Sequence, residues 1–147
     1  MEEDLCFRQE YSLKGGEFAR AGEVSRRIKN LLKELGLDAQ VIRRAAIASF
    51  EAEMNVIMYA FQGMVRLAVT LADVTIIVDD RGPGIPDIGL AMTEGYSTAT
   101  REMRELGFGA GMGLPNIKKN ADVFRIVSDP GRGTRLEMTF ARDGRPS

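Results

Sequence analysis

Apolar and polar positions along this chain change period several times, and each change marks an element. From Phe7 to Leu13 the residues Phe7, Gln9, Tyr11 and Leu13 share one face, a period of two that predicts a strand. The run KGGE breaks it. Between Phe18 and Leu35 the apolar residues Ile28, Leu31, Leu32 and Leu35 fall at helical spacing. Gly36 ends that helix and Asp38 can cap the next. A second helix is predicted from about Ala39 to Phe61, with Ile47, Phe50, Met54, Ile57, Met58 and Phe61 as its apolar stripe and Gly63 closing it. Val65, Leu67, Val69 and Leu71 then alternate with Arg66, Ala68 and Thr70, the pattern of a half-buried strand. Val74 to Asp80 is its hairpin partner across a short turn. From Gly82 to Gly113 the chain is rich in glycine, with one short charged helix expected near Thr100 to Leu106. Pro115 opens another helix, as proline does in a first helical turn. Phe124 to Ser128 and Thr134 to Arg142 form a last hairpin around SDPGRG, and the tail DGRPS is expected to fray.

The order is strand, two helices, hairpin, glycine-rich segment with helices, hairpin. Alternating strands leave one sheet face wet, so the helices cover the other. The predicted class is α+β, a two-layer sandwich of a mainly antiparallel sheet with helices on one face. The 147 residues suit a single domain.

Composition narrows the chemistry. The net charge is -1 and no basic stripe stands out, which argues against nucleic acid as a partner. No apolar run approaches a bilayer span, so no membrane partner is expected. The start MEEDLCFRQE is acidic and lacks an apolar signal core. One cysteine, Cys6, excludes an internal disulfide and fits a reducing cytoplasm. Histidine is absent. That removes Ser-His-Asp and Cys-His mechanisms and argues against zinc. A metal here would be a hard cation with oxygen ligands, such as magnesium beside a phosphate.

Three stretches carry candidate chemistry, and a fourth joins them. In FEAEMN, Glu51 and Asn55 are four apart and share a helix face. At about 100° per residue they border the apolar stripe, and Glu53 falls well away, toward solvent. Alone, the pair also fits two surface residues of an amphipathic helix. In IIVDDRGPGIPD, strand parity puts Asp80 with Val74, Ile76 and Val78, and Asp79 with Thr75 and Ile77. Asp80 therefore enters the covered layer, where a carboxylate needs donors, and Asp79 is left on the surface. Gly82 and Gly84 let the backbone turn and approach a ligand, although a Pro-Gly turn needs no ligand. In GFGAGMGLPN, glycines at 107, 109, 111 and 113 precede a helix. Their N–H groups and the helix dipole suit an anion. In DPGRGTRLEM, Thr134 shares the inward face of Leu136, Met138 and Phe140, so Thr134 and Asp80 enter one layer from two strands.

Taken in order, Glu51-x-x-x-Asn55, Asp80-x-Gly82-x-Gly84, Gly109-x-Gly111-x-Gly113 and Gly131-x-Gly133-Thr134 resemble the four nucleotide boxes of the gyrase, Hsp90, histidine-kinase and MutL ATPase superfamily, over about residues 40 to 140. IPDIGLAMTEGYSTA is similar to the lid of the stressosome switch kinases, and GMGLPNIKK to their third box. The resemblance implies the Bergerat sandwich, agreeing with the layer argument. It also implies ATP with Mg2+. Asn55 would hold the metal through its amide oxygen. Asp80 would accept from the adenine amine, supported by Thr134, with Gly82, Gly84 and Ile85 in the same box. Gly109, Ala110, Gly111, Met112, Gly113 and Leu114 would wrap the phosphates. Residues about 85 to 108 would form the lid, with Ser97 and Thr98 as polar contacts.

Glu51 discriminates within that superfamily. Histidine kinases resembling this fold usually carry an amide there, whereas a serine hydroxyl or a water benefits from a positioned base. The reading is an ATP-dependent serine/threonine protein kinase of the anti-sigma or switch type, with Glu51 catalytic. Its expected substrate is a serine on a STAS-domain antagonist. A sigma factor as second partner and a homodimer through the first strand and helix also follow from the resemblance. The alternatives are an ATP-gated partner-binding protein with little kinase activity, and a histidine-kinase-like catalytic fragment.

Overall fold

The computed structural model describes residues 5–85, 87–93 and 113–142. In chain order the elements are β1 (Leu5–Lys14), a 3-10 turn (Phe18–Arg20), α1 (Glu23–Glu34), α2 (Ala39–Tyr59), β2 (Gln62–Thr70), β3 (Asp73–Arg81), α3 (Ile88–Ala91), α4 (Gly113–Asn120), β4 (Val123–Asp129) and β5 (Gly133–Ala141). The strands make one antiparallel sheet in the order β1-β2-β3-β5-β4. The helices pack on one side of it, as the alternating strands require.

Pairing sets which side chains meet. Leu67 lies opposite Ile76, and Ile76 opposite Met138. All three are fully buried. Burying each such side chain stabilises the fold by about 1.5–3 kcal/mol. Above this layer sit Ile28 and Leu32 of α1 and Val41, Ala45, Ala48, Ala52 and Val56 of α2.

Three expectations about the helices change. The first helix starts at Glu23, not Phe18, because Gly22 takes a left-handed φ of 91° and resets the chain direction. The second ends at Tyr59: Ala60 is extended, and the Phe61 N–H already donates to the Arg81 carbonyl at 2.7 Å. The stripe facing the sheet is the small one, through Ala45, Ala48 and Ala52. Met54, Ile57 and Met58 instead form a separate cluster with Phe18, Ala21 and Tyr59. Phe50 is 39% exposed and Phe61 74%, so neither is a core residue. Alanines allow a helix to approach a sheet closely, and weighting positions by side-chain size hides them. Among the strands, Gln9 is exposed and Leu71 sits in the β2–β3 turn, 70% exposed.

The described part of helix α4 runs from Gly113, two residues before Pro115. The charged helix expected near 100–106 and the tail 143–147 lie outside the described residues. No described helix is long and apolar enough to cross a membrane.

Candidate functional site

The helix side of the site is a seam between α2 and α4. Arg44, Glu51 and Asn55 lie at i, i+7 and i+11 on α2, along one helical face. Arg44 Nη1 donates to the Asn120 carbonyl at 3.0 Å and pairs with Asp122 at 3.3 Å. Asn116 Nδ2 donates to Glu51 Oε2 at 3.3 Å. A Cβ on Gly113 would lie 3.2 Å from Asn55 Oδ1 and 3.6 Å from Glu51 Oε1. Numbers rise along α2 as they fall along α4, so the helices run antiparallel. The N-terminus of α4 therefore sits against Glu51 and Asn55. Glycine at 113 leaves open a space that any side chain would fill.

The strand side is built on Asp80. Its Oδ1 accepts the Thr134 N–H at 3.0 Å. Burial is the largest influence on its carboxyl and raises its pKa; the Thr134 N–H lowers it, and the charge of Asp79 raises it again. A Cβ on Gly133 would run into the Asp80 carbonyl oxygen, so only glycine permits this approach of β5 to β3. Beyond the strand, Gly84 adopts a φ of 77°, and a Cβ there would meet the Asp129 carbonyl at 2.7 Å. Gly82 is equally confined, its notional Cβ 2.9 Å from Ala60 Cα. The Ile85 N–H donates to Ser128 Oγ at 2.6 Å, and Ser128 Oγ lies 2.9 Å from Thr134 Oγ1.

Gly63 joins the two sides. It lies opposite Asp80 in the sheet, and a Cβ on it would be 2.9 Å from Val56 on α2. The Asp80 end of β3 is thus set beneath the Asn55 end of α2. Asp79 points to the other sheet face, where Arg66 and Arg135 donate to its Oδ2 at 2.9 and 2.8 Å.

One expectation fails outright. Glu53 does not face solvent: it is 1% exposed. Its carboxylate accepts the backbone N–H of Gly22 at 3.1 Å, Val24 at 3.2 Å and Ser25 at 2.9 Å. These are the orphan donors at the start of α1, and a carboxylate at a helix N-terminus is favoured by the dipole as well. The wheel placed Glu53 off the sheet-facing stripe, which is right. It could not know that α1 packs on that flank.

Of the other expected site residues, Leu114 is 6% exposed and packs in the main core. Ser97, Thr98, Gly109, Ala110, Gly111 and Met112 lie outside the described residues, as does most of the expected lid.

Comparison with known proteins decides the family. The family described as "Histidine kinase-, DNA gyrase B-, and HSP90-like ATPase" matches residues 28–144. The chain belongs to that ATPase family. Within the family it is 35% identical over 114 residues to the serine/threonine-protein kinase RsbT of Bacillus subtilis, covering 74% of this chain and 79% of RsbT. It is 34% identical over 94 residues to the anti-sigma F factor of Caldanaerobacter subterraneus, covering 60% of this chain and 62% of that protein. The fold is shared with the crystal structure of the RsbU and RsbW domains of Rv1364c from Mycobacterium tuberculosis. The TM-score is 0.61 and the identity 18%, over 90% of this chain and 31% of that one. As a member of this ATPase family the protein uses ATP, and its relatives place it in the branch of serine/threonine kinases and anti-sigma factors.

The residues present fit magnesium as a nucleotide-borne ion. Among the described residues no cluster of three His, Cys, Asp or Glu side chains could hold a metal alone. The amide oxygen of Asn55 is a hard donor facing the Gly113 space. A magnesium ion characteristically takes one or two protein oxygens and completes its shell from phosphates and water.

Sequence reasoning missed Arg44, Asn116 and Ser128. Arg44 and Asn116 needed knowledge of which helices pack together. Ser128 was within reach: in SDPGRGT it is the residue directly across the hairpin from Thr134.

Proposed function

We propose that this protein is a magnesium-dependent serine/threonine kinase of the anti-sigma or switch type, which transfers the γ-phosphoryl of ATP to a serine on a STAS-domain antagonist protein. The observation that carries this is the Glu51 carboxylate, held by Asn116 beside Asn55 and the N-terminus of α4. A carboxylate there takes the proton of an incoming hydroxyl as that oxygen attacks. Backbone N–H groups at the start of α4 receive phosphate oxygens. Asp80 fixes the base through its amine. Magnesium bound at Asn55 would neutralise phosphate charge and align the groups, which is most of what phosphoryl transfer asks of a protein. The same reading takes residues 1–147 as one domain with a lid over about 85–108, acting in the cytoplasm. It includes a homodimer through β1 and α1.

The test is incubation with radiolabelled ATP and a candidate STAS partner. Wild type labels the partner on serine, and Glu51→Ala, with nucleotide binding intact, does not. Equal labelling by both, or none by either, overturns the kinase reading.

Similarity to the anti-sigma F factor favours a second reading, in which nucleotide state gates the holding of a sigma factor. This requires different partner affinities in the two states. Capture of a sigma factor that is equal with and without ATP rejects it. A histidine-kinase-like fragment remains as a third reading, and a label that survives acid argues against phosphohistidine.

A further inference from the structure

Ser128 lies behind the adenine-facing pair Asp80 and Thr134 and has no place in the nucleotide boxes. It sits on β4, directly opposite Thr134 on β5. A hydroxyl carries one proton and two lone pairs. The Ile85 N–H occupies one lone pair of Ser128 at 2.6 Å. The Ser128 proton has two acceptors in reach, Thr134 Oγ1 at 2.9 Å and the Gly133 carbonyl at 3.3 Å. Either hydroxyl can donate across the 2.9 Å contact; its distance is nearer the usual hydroxyl range of about 2.7–2.8 Å than the 3.3 Å to the carbonyl, which favours Ser128 giving its proton to Thr134. In that arrangement Thr134 accepts from Ser128 and keeps its own proton for a ligand. Its backbone N–H is already spent on Asp80 Oδ1.

The pocket floor thus offers an acceptor from Asp80 next to a donor from Thr134. Adenine presents the complement, an exocyclic amine donor beside a ring-nitrogen acceptor. Guanine presents the reverse, a carbonyl acceptor beside an N–H donor. If the Ser128 proton turned to Gly133, Thr134 would donate backward and show the pocket lone pairs only. Those lone pairs would repel the adenine ring nitrogen and could accept the guanine N–H, leaving Asp80 alone to discriminate between the bases.

We propose that Ser128 is a specificity-determining residue: its hydroxyl fixes the polarity of Thr134, so that the Asp80–Thr134 floor selects adenine over guanine. It acts through Thr134, directly or through one water that passes the same polarity on. The proposal rests on the ATP reading above and adds base discrimination to it. Ser128 also receives the N–H of Ile85, where the chain leaves the second box. The base-reading pair and that exit are therefore tied to one hydroxyl.

The test is calorimetric titration of the full chain with the magnesium salts of ATP and GTP, for wild type, Ser128→Ala, Thr134→Val and the double variant. Wild type prefers ATP. Ser128→Ala lowers the ATP-to-GTP affinity ratio about tenfold, the scale of one misdirected hydrogen bond, mainly by weakening ATP. In the Thr134→Val background the Ser128 change moves the ratio less than about twofold, because the group it polarises is gone. Thermal unfolding checks that each variant is folded. Should Ser128→Ala fail to fold, Ser128→Cys, similar in shape and a weak donor, carries the same expectation. An unchanged ratio in a folded Ser128 variant overturns the proposal, as does an equal drop in both backgrounds. Wild type binding ATP and GTP alike also overturns it while leaving the nucleotide reading standing. Wild type binding neither removes both.

Discussion

Glu53 on α2 and Ser25 on α1 are 28 positions apart in sequence, and the carboxylate of the first accepts the backbone N–H of the second at 2.9 Å. With Gly22 and Val24 donating to the same group, one side chain satisfies three donors at a helix start. Glu53→Ala is expected to cost about 3–5 kcal/mol, since it strands buried polar groups. In a domain of this size that lowers the melting temperature by roughly 10 °C. Glu53→Gln keeps an acceptor and should lose less. Thermal unfolding decides it; an Ala variant melting within a degree of wild type would show that the cap is dispensable.

Asp80 carries the opposite kind of cost. Burial raises its folded pKa above the unfolded value. Between about 3.9, the unfolded value, and the raised one, the folded protein holds a proton that the unfolded chain has lost. Stability from this group therefore falls as pH rises through that window, and the cost persists at neutral pH. Asp80→Asn removes it, so the nucleotide-free variant should melt higher than wild type at pH 7. The difference should vanish below the unfolded pKa. The same variant should bind ATP at least tenfold more weakly, because its amide can present a donor toward the adenine amine. A variant that melts lower and binds unchanged would contradict the assignment.

The neighbouring aspartate gives the control. Asp79 joins Arg66 and Arg135 on the open sheet face, and Arg66 also pairs with Glu10 at 3.2 Å. Its side chain is 35% exposed, and pairs of that kind contribute about 0–1 kcal/mol. Asp79→Asn should change nucleotide affinity by less than twofold. Any stability loss should shrink at high salt. A titration in which Asp79→Asn weakens ATP more than Asp80→Asn does would reverse the two roles.

Gly113→Ala tests the cradle at α4. Its Cβ would press on the Asn55 amide at 3.2 Å, tighter than ordinary contact yet yielding if Asn55 swings away. Nucleotide affinity in magnesium should drop about tenfold while the melting temperature stays within a few degrees. Because the clash falls on Asn55, the loss should be smaller when titrated in chelator. An equal loss with and without magnesium would point to the phosphates alone.

The strands were legible because a period of two is hard to mistake. Val74, Ile76, Val78 and Asp80 lie on one face in the sequence and in the fold. That parity alone assigns Asp79 and Asp80 to opposite sides. The inward side of α2 was harder to see. Its main-core face runs through Ala45, Ala48 and Ala52, small residues that a stripe drawn through Phe50 and Phe61 passes over. Glu53 was misplaced for a different reason. A wheel describes one helix, and the surface that buries this carboxylate belongs to another. Asn116 and Arg44 were invisible on the same ground, since their partners are set by the antiparallel docking of α2 and α4.

The strand order also bears on how the molecule is put together. β3 meets β5 only after the chain has run on through residues 82–132, so until the last hairpin docks, β3 is an unprotected border with half its ladder unmade. Asp80 and Thr134 stand on either side of that closing line. A chain stopped before β4 would hold Glu51, Asn55 and Asp80 and lack the strand whose Thr134 N–H reaches Asp80. On the proposed reading, a nucleotide lying across that line would act as a stitch between early and late segments. Amide hydrogens of β5 should then exchange more slowly when it is bound.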